Sequence, residues 1–291
     1  MGAVEHALIE PDSHLVLSGS MILEGDCAVA LRHLPSDSVQ CCVTSPPYWS
    51  LRDYHIQGQI GLEDTVYQYI NRLVAVFAEV RRVLRPDGVL WLNIGDSYTS
   101  GGRTWRAPDK KNPVRAMTVR PDTPQGLKPK DLIGVPWRLA LALQEDGWFL
   151  RSDVIWEKPN AMPESVKDRP TRCHEYMFLL SRSERYYYDY RAIREANGRN
   201  KRSVWSVNTQ GFSGAHFATF PPALIEPCIR AGSKPGDYVL DPFFGSGTVG
   251  VVAQDLARRY IGIELNPDYV QMALNRVRSV AAGTPTICRV G

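Results

Sequence analysis

The chain has 291 residues, 44% of them hydrophobic and 22% charged, and a formal net charge of +3. That balance suits one large α/β domain with insertions, or one domain with a small lobe, and excludes wholesale disorder. No apolar run approaches the ~20 residues that span a bilayer, and no basic segment followed by an apolar one marks a secretory leader. A cytoplasmic protein without membrane contact is therefore expected.

Residues 1–20 show no sustained period and read as a peripheral arm. Met21-Ile22-Leu23 reads as a short strand before the turn Gly25-Asp26, and Cys27 to Leu34 reads as a helix. Val39 to Thr44 reads as a strand that stops at Ser45-Pro46-Pro47, because proline cannot donate to a ladder. Thr65 to Leu84 carries Ile70, Leu73, Val74, Phe77, Val80, Val83 and Leu84 at helical spacing, and Arg85-Pro86-Asp87-Gly88 is expected to end that helix before a strand over Val89 to Ile94. A helix near Trp137 to Gln144, strands over Phe149 to Trp156 and Tyr176 to Leu180, and a helix over Pro221 to Arg230 follow. The chain closes with a strand at Tyr238 to Leu240, a helix over Val249 to Leu256, a strand at Tyr260 to Ile263 and a helix over Pro267 to Val277. This alternation predicts a mostly parallel or mixed sheet with helices on both faces.

The six cysteines form no Cys-x-x-Cys pair, so no zinc or redox site is expected, and Cys41-Cys42 read as buried thiols in a reducing compartment. Two aperiodic segments concentrate positive charge that the small net charge hides. Ser97 to Lys130 holds Arg103, Arg106, Lys110, Lys111, Arg115, Arg120, Lys128 and Lys130 against two aspartates, a net +6. Arg191 to Arg202 holds Arg191, Arg194, Arg199, Lys201 and Arg202 against Glu195, a net +4. Each reads either as a solvated loop or as a surface that contacts nucleic-acid phosphates.

Gly245, Gly247 and Gly250 follow a strand and open a helix, an arrangement that lets a ligand approach backbone N–H groups at a helix N-terminus. Glu264 ends the next strand, where a carboxylate can accept both hydroxyls of a ribose. Asp241-Pro242-Phe243-Phe244 intervenes between strand and glycines. A carboxylate at that strand end suits the cationic S-adenosylmethionine better than the pyrophosphate of a dinucleotide. Phe243 and Phe244 are candidates to wall an adenosyl group, with core packing the alternative for one of them.

Ser45-Pro46-Pro47-Tyr48 resembles the catalytic signature [Asp/Asn/Ser]-Pro-Pro-[Tyr/Phe/Trp] of the DNA amino-methyltransferases, which modify adenine N6 or cytosine N4. Asp241 to Thr248 resembles their cofactor signature Asp-Pro-Phe-x-Gly-Ser-Gly-Thr, and the catalytic motif preceding the cofactor motif resembles the permuted β-class order. Gly25-Asp26, Trp156-Glu157-Lys158-Pro159-Asn160, His174-Glu175-Tyr176 and His216 to Ile225 are similar to further family elements, so the resemblance covers about residues 22–277. It implies a Rossmann-like S-adenosylmethionine-dependent methyltransferase fold with basic inserted loops. The catalytic domain would comprise residues 21–96 and 131–280, with a basic insert at 97–130 and a candidate target-recognition region at 185–214. S-Adenosyl-L-methionine would contact Asp26, Thr44, Phe220, Asp241, Pro242, Phe243, Gly245, Ser246, Gly247, Thr248 and Glu264. Ser45, Pro46, Pro47 and Tyr48 would form the catalytic group, while Arg103, Arg106, Lys110, Lys111, Arg115, Arg199, Lys201 and Arg202 would contact double-stranded DNA. A homodimer and a cognate restriction endonuclease are the further partners the resemblance implies.

An exocyclic amino nitrogen is a weak nucleophile because its lone pair is delocalised into the ring. Acceptors for its hydrogens, here Ser45 Oγ and the Pro46 carbonyl, push it toward sp³ character, and Tyr48 can stack on a base turned out of the duplex. No covalent intermediate is needed. In the family, Ser in the first motif position often accompanies cytosine N4 and Asp adenine N6. Hydroxyl and carboxylate both accept, so both bases stay open. Trp49 either packs behind Tyr48 or lines the pocket. A cytosine-C5 enzyme would need a Pro-Cys nucleophile in a loop, whereas Pro227-Cys228 falls in an apolar helix. Methylation of RNA or of a protein glutamine, a catalytically silent DNA-binding module and a nicotinamide-dependent oxidoreductase are the competing readings.

Overall fold

The computed structural model describes residues 7–9, 15–99, 122–210, 220–280 and 285–290. Its elements in chain order are β1 (Ala7–Ile9), β2 (Met21–Glu24), α1 (Cys27–Arg32), β3 (Val39–Thr44), α2 (Val66–Val83), β4 (Leu84–Ile94), α3 (Val135–Glu145), β5 (Phe149–Glu157), β6 (His174–Ser181), β7 (Val204–Ser206), α4 (Pro222–Gly232), β8 (Tyr238–Asp241), α5 (Thr248–Asp255), β9 (Arg259–Glu264), α6 (Pro267–Val280) and β10 (Thr286–Val290). The ten strands form one sheet in the order β1-β10-β2-β9-β8-β3-β4-β6-β5-β7. Every pairing is parallel except those of β6, which runs against β4 and β5.

Alternation along the strands divides the core. Cys42, Leu90 and Leu92 face one layer, with Leu31, Leu73 and Leu139 of α1, α2 and α3. Cys41, Val43, Val89 and Trp91 face the other, with Leu224, Val249 and Val270 of α4, α5 and α6. The adjacent thiols of Cys41 and Cys42 thus lie on opposite faces, both fully buried, and burial pushes both well up.

Helix α2 begins where the sequence signals a start. Thr65 accepts from the Gln68 N–H at 3.2 Å, and the Gln68 side chain accepts from the Thr65 N–H at 3.0 Å, closing a capping box. Its end departs from expectation. The helix passes into β4 at Leu84, which pairs with Val39, so the expected breaker Arg85-Pro86-Asp87-Gly88 is a bulge inside a strand, spanned by the register shift between Val39 and Cys41. Three short strands add to those expected. β1 gives residues 1–20 a strand at the sheet edge, β10 enters between β1 and β2, and β7 follows β5 at the opposite edge. Among the described residues no helix is long and apolar enough to cross a membrane.

Helix α2 connects β3 to β4 in one direction along the sheet, and α5 connects β8 to β9 in the other. β3 and β8 are neighbours, joined at Cys41 with Val239 and Cys42 with Leu240. This is the topological switch point, where α/β sheets open a crevice beyond the carboxyl ends of their strands. Gly262 of β9 lets Phe244 lie flat on that part of the sheet: a Cβ there would stand 2.3–2.4 Å from three ring atoms. Gly262→Ala is therefore expected to destabilise the fold by about 1–3 kcal/mol through overpacking, and urea unfolding at the wild-type stability would contradict this packing.

Candidate active site

A cavity of about 630 Å³ opens over the switch point. Its walls include Asp26, Ser45, Pro46, Pro47, Tyr48, Phe220, Asp241, Pro242, Phe243, Gly245, Ser246, Thr248 and Glu264, so the two motif regions expected to act together do meet. Of the residues the resemblance assigned to the cofactor, Thr44 and Gly247 stand behind this wall. Thr44 is completely buried and its hydroxyl donates to Asp241 Oδ1 at 2.6 Å. Gly247, at φ +80°, caps α5 where a Cβ would approach Ala273 to 2.9 Å.

The glycine loop is built around carboxylates. Asp241 Oδ1 also accepts from the Phe243 N–H at 3.0 Å. Glu264 accepts from the Gly245 N–H at 2.7 Å and from the Asn266 N–H at 2.8 Å. Burial pushes the Asp241 carboxyl up to about 7 despite those donors, and the nearby Glu264 adds to the rise. Burial pushes Glu264 up to about 7 as well, opposed by the N–H groups of Asn266, Gly245 and Leu265. Among the described residues no cation pairs with either buried carboxyl, an arrangement that suits a cationic ligand or hydroxyl donors. Asp26, the N-cap of α1, accepts from the Ala28 N–H at 2.7 Å and lies 3.9 Å from the Arg72 guanidinium.

The two phenylalanines divide their roles. Phe244 is 3% exposed, stacks on Tyr260 with ring centroids 5.6 Å apart and belongs to the core while also reaching the cavity wall, and half-buried Phe243 lines the same cavity. Ser246 and Thr248 direct their hydroxyls to Arg276, whose guanidinium donates to Ser246 Oγ at 2.6 Å and to Thr248 Oγ1 at 3.2 Å.

On the opposite wall Tyr69 donates to the Pro47 carbonyl at 2.8 Å, which fixes the proline turn. Trp49 is 4% exposed and donates to the Glu63 carbonyl at 2.9 Å; it packs behind the turn and does not line the cavity. The Tyr48 hydroxyl donates to Glu175 Oε2 at 2.7 Å. Burial, then the Glu175 charge, push the Tyr48 phenol well above its ordinary value. Lys158 pairs with Glu175 Oε1, and its ammonium sits 4.2 Å from the Trp156 ring centroid. Sequence reasoning assigned no role to Glu175, Lys158 or Asn93. The available signal was an ionisable residue at the end of each of two apolar strands, β5 and β6, but their hairpin pairing is a property of the fold.

The same limit applies to Asp96. Beyond the end of β4 it accepts from the Ser97, Gly134 and Val135 N–H groups at 2.9–3.0 Å, which caps α3 from a distant segment. Among the expected DNA contacts, Arg199 is exposed, Lys201 lies 4.9 Å from the Trp205 ring centroid, and Arg202 pairs with Glu195 at 3.1 Å. Arg103, Arg106, Lys110, Lys111 and Arg115 lie outside the described residues, as does the start of the expected His216 to Ile225 helix. No cluster of His, Cys, Asp and Glu among the described residues is arranged to hold a metal ion.

The sheet and cavity define an α/β fold with a cavity open at the switch point. A DNA methylase family model, that of the N6/N4 methyltransferases, matches residues 39–275, and the chain belongs to this family. It is 68% identical to the type II methyltransferase M.Cfr9I of Citrobacter freundii over 268 residues, covering 91% of this chain and 89% of the relative. It is 59% identical to M.SmaI of Serratia marcescens, covering 90% and 91%. Among solved structures, the PvuII cytosine-N4-specific DNA methyltransferase shares the fold at 22% identity and a TM-score of 0.70, covering 91% of this chain and 88% of that one. TTHA0409 of Thermus thermophilus, solved with S-adenosyl-L-methionine, is 25% identical with a TM-score of 0.65, covering 94% and 99%.

The buried carboxyls set a pH dependence. Asp241 has an ordinary value of 3.8 and about 7 in the fold, so between those limits the folded chain holds a proton that the unfolded chain has released. Stability is then lost as pH rises through that window and the penalty is complete above it. Asp241→Asn removes this titration and is expected to reduce the fall in unfolding free energy between pH 5 and pH 8 by a few kcal/mol. Equal pH slopes in urea unfolding would refute this.

Proposed function

We propose that the chain transfers a methyl group from S-adenosyl-L-methionine to cytosine N4 of a base turned out of double-stranded DNA. The observation that carries this reading is the meeting, across one cavity, of the Ser45-Pro46-Pro47-Tyr48 turn with the buried carboxyls of Asp241 and Glu264. The cofactor supplies an electrophilic methyl on a sulfonium sulfur. The residues fit it: Asp241 offers negative charge to a cation, Glu264 can accept ribose hydroxyls, and Phe243 supplies an apolar wall. The N–H of Gly245 holds Glu264 toward the cavity.

Across the cavity, Ser45 Oγ and the Pro46 carbonyl accept the hydrogens of the amino group and direct its lone pair. The rigid turn, fixed by Tyr69, holds these acceptors in place. Most of the acceleration then comes from positioning. Cytosine rests on Ser45 at the first motif position, where the resemblance associates Asp with adenine. The type II designation of the relatives supports a role in protecting DNA from a restriction endonuclease.

The test is methylation of genomic DNA with isotopically labelled cofactor, followed by nucleoside mass spectrometry. Label in N4-methylcytosine is expected. Label in N6-methyladenine overturns the assignment of the base, and label only in RNA overturns that of the substrate. For the DNA surface, neutralising Arg199, Lys201 and Arg202 together should reduce the slope of log affinity against log salt by up to about 0.9 for each phosphate no longer neutralised. An unchanged slope would remove this segment from the interface.

A further inference from the structure

We propose that Met162 is a wedge that enters the base stack of double-stranded DNA and fills the space left by the target base. The inference rests on the reading that the cavity receives a base turned out of a duplex.

The segment between β5 and β6 contributes Ala161, Met162 and Glu164 to the cavity wall. Met162 is 75% exposed, and among the described residues it is the only large hydrophobic side chain that both lines the cavity and stands in solvent. It therefore marks the rim. Ser45 and Tyr48 line the same cavity, so a base held at the proline turn leaves its gap on the rim side.

An exposed apolar residue carries no message alone. What distinguishes Met162 is how its backbone is held. Asn160 is locked to Thr209, in the segment after β7. Its Nδ2 donates to the Thr209 carbonyl at 3.0 Å, and its Oδ1 accepts from the Thr209 N–H at 2.8 Å and the Thr209 hydroxyl at 3.1 Å. The Ala161 N–H donates to the Lys158 carbonyl at 3.0 Å, which closes a turn around Pro159 and Asn160. On the other side, Pro163 restricts Met162 to extended backbone. Glu164 then accepts from the Arg169 guanidinium at 2.7 Å and from the Arg172 N–H at 3.3 Å, and Arg169 sits 3.8 Å from the Tyr98 ring centroid. Met162 is thus placed from both sides before a ligand arrives, which reduces the entropy lost on insertion. Residues 158–172 carry four basic side chains against two acidic ones, a balance compatible with close approach to phosphates.

Methionine suits this position. Turning a base out breaks its stacking and opens an apolar gap, a cost that DNA-bending proteins offset by inserting apolar side chains, methionine among them. The thioether chain is long, adaptable and polarizable, so it packs against aromatic faces. It has no donor, so it holds the gap without reading the base left behind.

Met162→Ala shortens the wedge, and Met162→Leu keeps it bulky and apolar. On DNA carrying the sequence that the wild type methylates, the single-turnover rate of Met162→Ala is expected to fall about 10-fold, equivalent to about 1.4 kcal/mol. An abasic site opposite the target leaves that base unpaired and easier to turn out, and on this duplex the variant should come within about threefold of the wild type. Met162→Leu should keep most of the rate on both duplexes. Affinity for S-adenosyl-L-methionine by calorimetry should be unchanged in both variants. A wild-type rate for Met162→Ala on the matched duplex, an equal loss on the two duplexes, a Met162→Leu as slow as Met162→Ala, or a loss of cofactor affinity each overturns the inference. A wild-type chain that leaves no label in the bases of double-stranded DNA overturns the underlying reading, and the isotope experiment on the wild type shows this before any variant is made.

Discussion

The hydrogen bond from Thr44 to Asp241 joins two strand ends separated by 197 residues, and the active site depends on it. β3 delivers the proline turn and β8 delivers the Asp241 carboxylate. Their adjacency at the switch point brings two motifs far apart in sequence to one cavity. With its hydroxyl bonded at 2.6 Å and its side chain fully buried, Thr44 acts by holding Asp241 in place. The permuted order of the motifs has no cost in this geometry, because a parallel sheet presents every carboxyl end on the same edge whatever the order of its connections.

Reversal of one strand completes the site. Parallel strands can bring only their C-terminal residues to this edge, as Thr44, Asp241 and Glu264 show. β6 runs the other way, so its N-terminal residues His174 and Glu175 arrive at the same edge, opposite the C-terminal end of β5 with Lys158 just beyond it. The cavity therefore has two electrostatically distinct walls. On one, Asp241 and Glu264 are desolvated carboxyls raised to about 7, and a cationic ligand would relieve the cost of charging them. On the other, Glu175 already has its cation in Lys158 and accepts from the Tyr48 hydroxyl.

Much of this is legible in the sequence because the signals are local. The helical spacing from Thr65 to Leu84, the proline stop after Thr44 and the glycine loop before α5 each declare themselves locally, and the structure has α2, β3 and α5 there. The short strands β1, β7 and β10 are not legible, since three to five residues carry no period and each exists only by pairing with a distant partner. The Arg85 to Gly88 bulge reads as a helix stop for the same reason: its proline and glycine are locally the residues of a turn, and only the pairing of Leu84 with Val39 makes the segment part of a strand. Phe243 and Phe244 are indistinguishable in sequence. The space above Gly262, a property of a different strand, decides which one belongs to the core.

Residues that act through other residues are the least legible class. Glu175 and Lys158 are ordinary as letters, one at the start of a strand and one in a loop after a strand. Their significance comes from a contact across the hairpin and a second contact to Tyr48, which sits 127 positions from Glu175. A motif records the groups that must meet a reactant, because their chemistry restricts the residue types there. The groups behind them are constrained by distance and by the donor or acceptor character of a neighbour, and only the folded chain specifies both. The Ser45-Pro46-Pro47-Tyr48 turn is therefore legible as a motif, while the Lys158–Glu175 salt bridge that receives the Tyr48 hydroxyl is specified only by the fold.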